Sequence, residues 1–331
     1  MVISKTPLRV SFLGGGTDYP EFYNKNTGHV IGTTIDKYVY VSVNKNSKFF
    51  DYTTRISYRR TELVKSTDEI EHPSVRACLD FMNISDPLDI NIFSDLPAKT
   101  GLGSSSSFTV GLLNALYALN GRLVSKQQLA EEACHVEQEL IGEKVGSQDQ
   151  FFAAYGGYKN FTFSKNETFA NNVLISEEIL QAIQDHWLMF FTGKYRFAED
   201  VLVEQFSRNK DGKNDKCLIE MGSYALEALD LLQSNKSENF MKNFSDILNK
   251  SWQLKKGLSS SISSPQLDGV IESCLSLGAL SAKLSGAGQD GFISFFVPPE
   301  KQSVIRSHMR GMNLMELNFK AEREGSKIIY V

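Results

Sequence analysis

The chain has 331 residues, 41 % of them hydrophobic, which is enough for two packed domains. A formal net charge of −4 gives no bulk attraction to nucleic acid or anionic membranes, and four cysteines without a CxxC pair exclude a zinc ribbon or a disulfide framework. No leader-like start and no apolar run of spanning length is visible, so the expectation is a cytoplasmic protein that meets neither membrane nor nucleic acid.

Leu8, Val10 and Phe12 alternate with Arg9, Ser11 and Leu13, which predicts a strand running into Gly14-Gly15-Gly16. An arginine beside three glycines can aim at a phosphate or sugar oxygen, or pair with a structural carboxylate. Asp18, just beyond, can bond sugar hydroxyls or cap a turn. Gly14 and Gly16 also fit two positions of a dinucleotide fingerprint, with Asp36 near the place of a ribose-binding acid. The third glycine position holds Tyr19, too bulky where helix and strand must approach, and this argues against a nicotinamide enzyme. Val39, Val41 and Val43 predict a further strand, and a helix follows at about 73–82.

Ile90 and Phe93 mark a strand that leads into Pro97-Ala-Lys-Thr-Gly-Leu-Gly-Ser-Ser-Ser-Ser107, and a helix is predicted over about 104–120. Small residues on a strand-to-helix turn let backbone N–H groups converge on an anion, with the positive end of the helix behind them. The serine hydroxyls can cap those amides or reach a phosphate-bound Mg²⁺. The loop is no Walker A sequence, because no Gly-Lys-Ser/Thr occurs in it. A flexible Gly/Ser linker would not sit between two periodic apolar elements.

The next helix is predicted over about 126–141, opened by Ser125 and Gln128 at capping-box spacing. On it Ala130, Cys134, Glu137 and Ile141 fall on one face, so Glu137 interrupts an apolar stripe and must be neutralised, ion-paired or bound to a cation. A short helix starts near Ser147, where Asp149 is either a first-turn acid favoured by the helix dipole or a general base at a cleft mouth. The five histidines show no ligand spacing.

A polar stretch at about 166–172 suggests a boundary between domains 1–172 and 173–331. Beyond it, the apolar run Trp187–Phe191 predicts a buried strand. Helical patterns cover about 198–209, 215–234, 238–257 and 265–277, and a helix lies near 301–310. Strands are predicted at about 280–285, 291–297, 312–320 and 327–331. Intermixed helices and strands make the class α+β.

Three stretches taken together, Thr6–Asp18, Pro97–Ser107 and Lys283-Leu-Ser-Gly-Ala-Gly288, resemble the motifs of the GHMP kinases in their order. The Gly-Gly-Gly-Thr-Asp ending of the first resembles the sugar-1-kinase branch of that superfamily. The resemblance implies a ribosomal-protein-S5-like N-terminal domain, a ferredoxin-like C-terminal domain and an active site between them. It implies ATP and Mg²⁺ as cofactors and an anomeric hydroxyl as acceptor, here of a heptose 7-phosphate. An unphosphorylated acceptor such as fucose, or a non-catalytic sugar and nucleotide sensor, are the alternatives.

Roles follow from the same resemblance. Pro97 and the backbone of Gly101, Leu102, Gly103, Ser104, Ser105 and Ser106 would hold the triphosphate, with Gly286 and Gly288 closing on it. Ser105 and Glu137 would hold Mg²⁺, and Asp149 with Arg9 would serve the acceptor hydroxyl. Gly15, Gly16, Thr17 and Asp18 would meet the sugar. A cationic pocket for the acceptor's own phosphate would draw on Arg76, Lys194, Arg196 or Lys255, with Arg76 and Arg196 preferred. Gln289-Asp290 after Gly288 departs from the glycines that commonly follow there, and Asp290 would have to turn away from the phosphates.

Overall fold

The computed structural model describes the chain apart from residues 48, 99, 194–198, 235–237, 260, 287, 289 and 290 and the side chains of 199–202. In chain order the first half runs β1 (Val2–Leu13), α1 (Pro20–Tyr23), β2 (Gly28–Lys45), β3 (Thr54–Ser57), β4 (Thr61–Val64), α2 (Pro73–Phe81) and β5 (Leu88–Ser94). It continues with α3 (Ser104–Leu119), α4 (Lys126–His135), a π-helical turn (Val136–Ile141), α5 (Gln148–Tyr155), β6 (Lys159–Phe163) and β7 (Thr168–Asn172). The second half runs α6 (Glu177–His186), β8 (Trp187–Phe191), α7 (Glu199–Lys210), α8 (Asp215–Gln233), α9 (Phe240–Lys256) and α10 (Pro265–Ser276). It ends with β9 (Ser281–Leu284), β10 (Phe292–Phe296), α11 (Gln302–Gly311), β11 (Met315–Glu316), β12 (Ala321–Glu322) and β13 (Lys327–Tyr330).

The long β2 organises a nine-stranded sheet. One of its edges pairs antiparallel with β1, while the other takes β6 along Gly28–Gly32 and β5 along Val39–Lys45. The stretch expected to separate two domains is therefore partly strand, since β7 pairs with β6. The end of the chain also returns to this sheet, β12 on β2 and β13 on β1, so 173–331 does not fold as one separate body.

The second sheet is antiparallel with order β11-β8-β10-β9. A β-α-β-β-α-β sequence with the last strand beside the first is the ferredoxin-like arrangement that the family resemblance implies. The run Trp187–Phe191 is apolar on both faces for a structural reason. Trp187, Met189 and Phe191 face the core shared with the first sheet, and Leu188 and Phe190 face the second core under α10 and α11. Phe12 of β1 closes the seam, its ring 5.1 Å from that of Trp187 and 5.8 Å from that of Phe244. No helix among the described residues is long and apolar enough to cross a membrane.

Candidate active site

Arg9 lies in the middle of β1, buried, on the face that looks towards α5. Its Nε donates to Asp149 Oδ1 at 2.7 Å and its Nη2 to Asp149 Oδ2 at 2.8 Å, the planar fork a guanidinium forms with a carboxylate. Its Nη1 donates to the Gly101 carbonyl at 2.6 Å, and its own amide donates to the Leu102 carbonyl at 3.0 Å. One residue thus ties the first glycine strand, the serine loop and Asp149 together. Asp149 keeps 24 % of its side chain exposed, so it remains reachable from the cleft.

The serine loop ends at Gly103, which takes a left-handed conformation (φ 76°, ψ 24°) as N-cap of α3. Among the described residues no side chain caps this helix, contrary to one of the roles expected for the serines. The Ser106 hydroxyl turns to Glu137 and the Ser107 hydroxyl to the Pro7 carbonyl, which leaves the first-turn amides for a ligand. A Cβ on Gly103 would come within 3.2 Å of both Arg9 Cγ and Asp149 Oδ2, so the loop backbone lies against the ion pair.

The third glycine motif meets this loop backbone to backbone. A Cβ on Gly101 would fall 2.4 Å from the Ser285 carbonyl, and one on Gly286 would fall 2.5 Å from Gly101 Cα. Both residues have positive φ, 80° and 83°. Only glycine satisfies the torsion and the approach together.

Three consecutive residues at the start of α5 reach three parts of the site, because helical residues point 100° apart. Gln148 Nε2 donates to Asp18 Oδ1, Asp149 accepts from Arg9, and Gln150 Nε2 donates to Glu137 Oε2. Asp18 is fully buried, and its oxygens also accept from the Gly16 and Gln148 amides. Burial raises its pKa against those hydrogen bonds. Thr17 is equally buried, its hydroxyl donating to the Gly14 carbonyl and accepting from the His29 amide.

Glu137 sits in the π-helical turn that replaces the expected end of a continuous α-helix. Its carboxylate is buried, Oε2 accepts from Ser106 Oγ at 2.8 Å, the Thr109 hydroxyl stands beside the group, and Oε1 has no well-formed hydrogen bond among the described residues. Burial pushes its pKa up from 4.5 to about 7. No cluster of three or more His, Cys, Asp or Glu suited to a metal occurs among the described residues. A buried carboxylate oxygen without a donor, beside serines at an uncapped helix start, suits a hard cation that takes few protein ligands.

Two lysines from the second half complete the charge pattern. Lys255 Nζ donates to the Gly286 carbonyl at 2.6 Å, and Lys283 Nζ donates to the Ser11 and Phe12 carbonyls. Burial lowers both, Lys255 to about 8, and Arg9 nearby lowers them further.

Models of protein families match the chain twice, GHMP kinases N terminal domain over residues 64–157 and GHMP kinases C terminal over residues 225–311. The chain belongs to the GHMP kinase family. This GHMP kinase is similar to the D-glycero-alpha-D-manno-heptose 7-phosphate kinase of Campylobacter jejuni, 29 % identical over 98 % of this chain and 97 % of that protein. It is also similar to the galactokinase of Pyrococcus furiosus, 26 % identical over 96 % and 95 % of the two chains. Its fold matches the crystal structure of a D-glycero-D-manno-heptose 1-phosphate kinase from Bacteroides thetaiotaomicron with a TM-score of 0.80. That match covers 100 % of this chain and 99 % of the other at 20 % identity.

Within this GHMP kinase, Arg9, Asp149, Gly101, Leu102, Gly103 and Gly286 form one contiguous site. Ser105 is the exposed serine of the first turn, and Ser106, not Ser105, is the partner of Glu137. Gly16 faces the second half, its absent Cβ pointing at Leu218, Gln205 and Leu258. Gly15 faces Gln148 and Ser11, and Gly288 backs onto Ile262. Thr17 and Asp18 spend their side chains on the fold, which makes them anchors of the glycine turn and not open sugar contacts. Arg76 is exposed on α2, and no described hydrogen bond or ion pair joins it to the ion pair of the site. Pro97 is likewise exposed at the loop entrance. Lys194, Arg196, Gln289 and Asp290 lie outside the described residues. Lys283, Gln148 and Gln150 carry site contacts to which residue-by-residue reading assigns no role.

Proposed function

We propose that this GHMP kinase transfers the γ-phosphoryl group of ATP to the anomeric hydroxyl of a heptose 7-phosphate, giving a heptose 1,7-bisphosphate. The likeness to the heptose 7-phosphate kinase of C. jejuni over nearly the whole of both chains supports the acceptor. The observation that carries the chemistry is the Arg9–Asp149 fork pressed against Gly103 of an uncapped helix start.

The first-turn amides of α3 and the Gly101–Gly286 contact form the phosphate cradle. Mg²⁺, when bound with ATP, neutralises phosphate charge, and Glu137 Oε1 with the Ser105 hydroxyl would hold it. Asp149 receives the anomeric O–H as a hydrogen bond, since each of its oxygens keeps a lone pair beyond the one given to Arg9. The acceptor oxygen bonds to the γ-phosphorus, the bond to the β–γ bridging oxygen breaks, ADP departs and the hydroxyl proton passes to Asp149. Arg9 fixes the carboxylate in orientation. Such transfer asks mainly for positioning and charge neutralisation, and the anomeric hydroxyl is the most acidic of a sugar's hydroxyls.

The purified protein with ATP and Mg²⁺, offered D-glycero-D-manno-heptose 7-phosphate, galactose and fucose in parallel, tests this reading. ADP release and phosphorus NMR of the product should show transfer to the anomeric position of the heptose phosphate alone. Preferred turnover of an unphosphorylated sugar would reassign the acceptor, and turnover of no sugar would overturn the reading.

A further inference from the structure

Arg9, Lys255 and Lys283 bring three basic side chains towards the carboxyl groups of Asp18 and Asp149. Among the described residues only Arg9 of the three has an ion-pair partner. Asp18 is satisfied by amides, and Lys283 spends two donors on backbone carbonyls of β1. Lys255 is different. It is 8 % exposed, yet among the described residues only one of its three N–H donors is used, on the Gly286 carbonyl. A buried ammonium with two donors unspent among the described residues calls for an anion.

The position says which anion. Gly286 lies against Gly101 of the serine loop, and Asp149 lies against Gly103 two residues on. Lys255 therefore stands at the reacting end of the cleft, where the phosphate loop and the acceptor base meet. A phosphate at the far end of a seven-carbon acceptor would sit away from Asp149 by the length of the sugar. We propose that Lys255 is a further catalytic residue of this kinase, reaching from α9 to contact the phosphoryl group in transfer. The inference rests on the phosphotransfer reading above. It gives the second half of the chain a direct part in the reaction: a cation placed where charge accumulates on the equatorial phosphoryl oxygens.

The test compares wild type, Lys255→Met and Lys255→Arg, using whichever acceptor the wild type turns over. Lys255→Met keeps the stem and removes the charge. It should bind ATP in calorimetry within about threefold of wild type and melt within a few degrees, with kcat lower by roughly 10²–10³-fold. In the free enzyme Lys255 carries its charge below about pH 8 and loses it above, so wild-type kcat/KM should fall on the alkaline side. Lys255→Arg should recover part of kcat and lack that alkaline fall, because a guanidinium stays charged. The charged groups facing Lys255 are Arg9 of β1, Asp18 after it, Asp149 of α5 and Lys283 of β9. All four are common to the three proteins, so a difference between profiles belongs to Lys255.

A Lys255→Met variant with kcat within twofold of wild type overturns the proposal. Loss of ATP binding in both variants makes Lys255 a prop for the Gly286 turn and overturns it equally. If Lys255→Met does not fold, an alkaline fall that persists in Lys255→Arg overturns it. A wild type that phosphorylates no sugar defeats the functional reading itself, and is distinguishable from each of these.

Discussion

Burial favours the protonated form of Glu137, whereas its proposed role as an Mg²⁺ ligand calls for the ionised form. Its carboxyl is buried, with pKa raised from 4.5 to about 7 chiefly by desolvation. The folded state therefore binds this proton more tightly than the unfolded state. Stability from this group is greatest below about pH 4.5 and falls as pH rises towards 7, at about 1.4 kcal/mol per pH unit. The whole loss is roughly 3 kcal/mol, complete once the folded-state carboxyl has ionised. A divalent cation at Oε1, as proposed, would remove most of that penalty by favouring the ionised form.

Glu137→Gln isolates the effect. A glutamine oxygen can still accept from Ser106 and Gln150, and the amide cannot ionise. Thermal melting between pH 5 and 8 with a chelator present should show wild type losing stability across that range and the variant losing less. At pH 7.5 the variant should melt a few degrees higher. Mg²⁺ with an ATP analogue should then raise the melting temperature of wild type more than that of the variant. In turnover the order reverses, since the variant needs more Mg²⁺ for half-maximal rate and runs more slowly. Melting curves that shift in parallel with pH, with equal response to Mg²⁺, would make Glu137 a structural acid and refute the argument.

Three further outcomes follow from the same geometry. Asp149→Asn should lower kcat by roughly 10²–10⁴-fold. It should also cost about 1–3 kcal/mol of stability, because the buried Arg9 loses its counter-charge while keeping the Gly101 carbonyl; turnover and melting temperature on one preparation check both. Gly103→Val should abolish measurable ATP binding in calorimetry while circular dichroism stays native, since φ is 76° and the new Cβ presses on Arg9 and Asp149; unchanged affinity would remove the loop from the phosphate site. Gly101→Ala should weaken ATP binding and lower melting temperature by several degrees, because its Cβ meets the Ser285 carbonyl at 2.4 Å and backbone cannot rotate aside; a variant indistinguishable from wild type in both would show that the two loops separate freely.

What was legible in the sequence was whatever a local pattern determines. The alternation around Arg9, the apolar runs of β8 and β10, and the long helices α8 and α9 appear close to their expected bounds. The serine loop was visible because strand, glycines, serines and helix follow one another without a gap. The strand predicted over about 312–320 survives only as Met315–Glu316, although Leu317 and Phe319 beyond it still pack against the core. Strands β3, β4 and β7 are short and polar-edged, and their pairing is supplied by neighbours that no local window contains. The π-helical turn at Val136–Ile141 lay beyond reach for the same reason, since periodicity alone continues the α-helix through it.

The site divides along that line as well. Which serine meets Glu137 depends on where α3 and the π-helical turn sit relative to each other, and one helical position separates Ser105 from Ser106. Asp18 looked like a free acid beside glycines, yet its fate is set by amides 130 residues away. One signal found both Glu137 and, had it been followed, Lys255. Phe244, Leu248, Trp252 and Lys255 share a face of α9, so the lysine closes an apolar stripe as Glu137 interrupts one. A charge on a buried face is costly unless something across the cleft repays it. Here the two halves of the chain each contribute one such charge, a carboxylate beside the serine loop and an ammonium behind the Gly286 turn, to either side of the Gly101–Gly286 contact. On the proposed reading, a triphosphate laid along that contact with its cation would meet opposite charge at both ends, which would offset the cost of burying a charge on each helix.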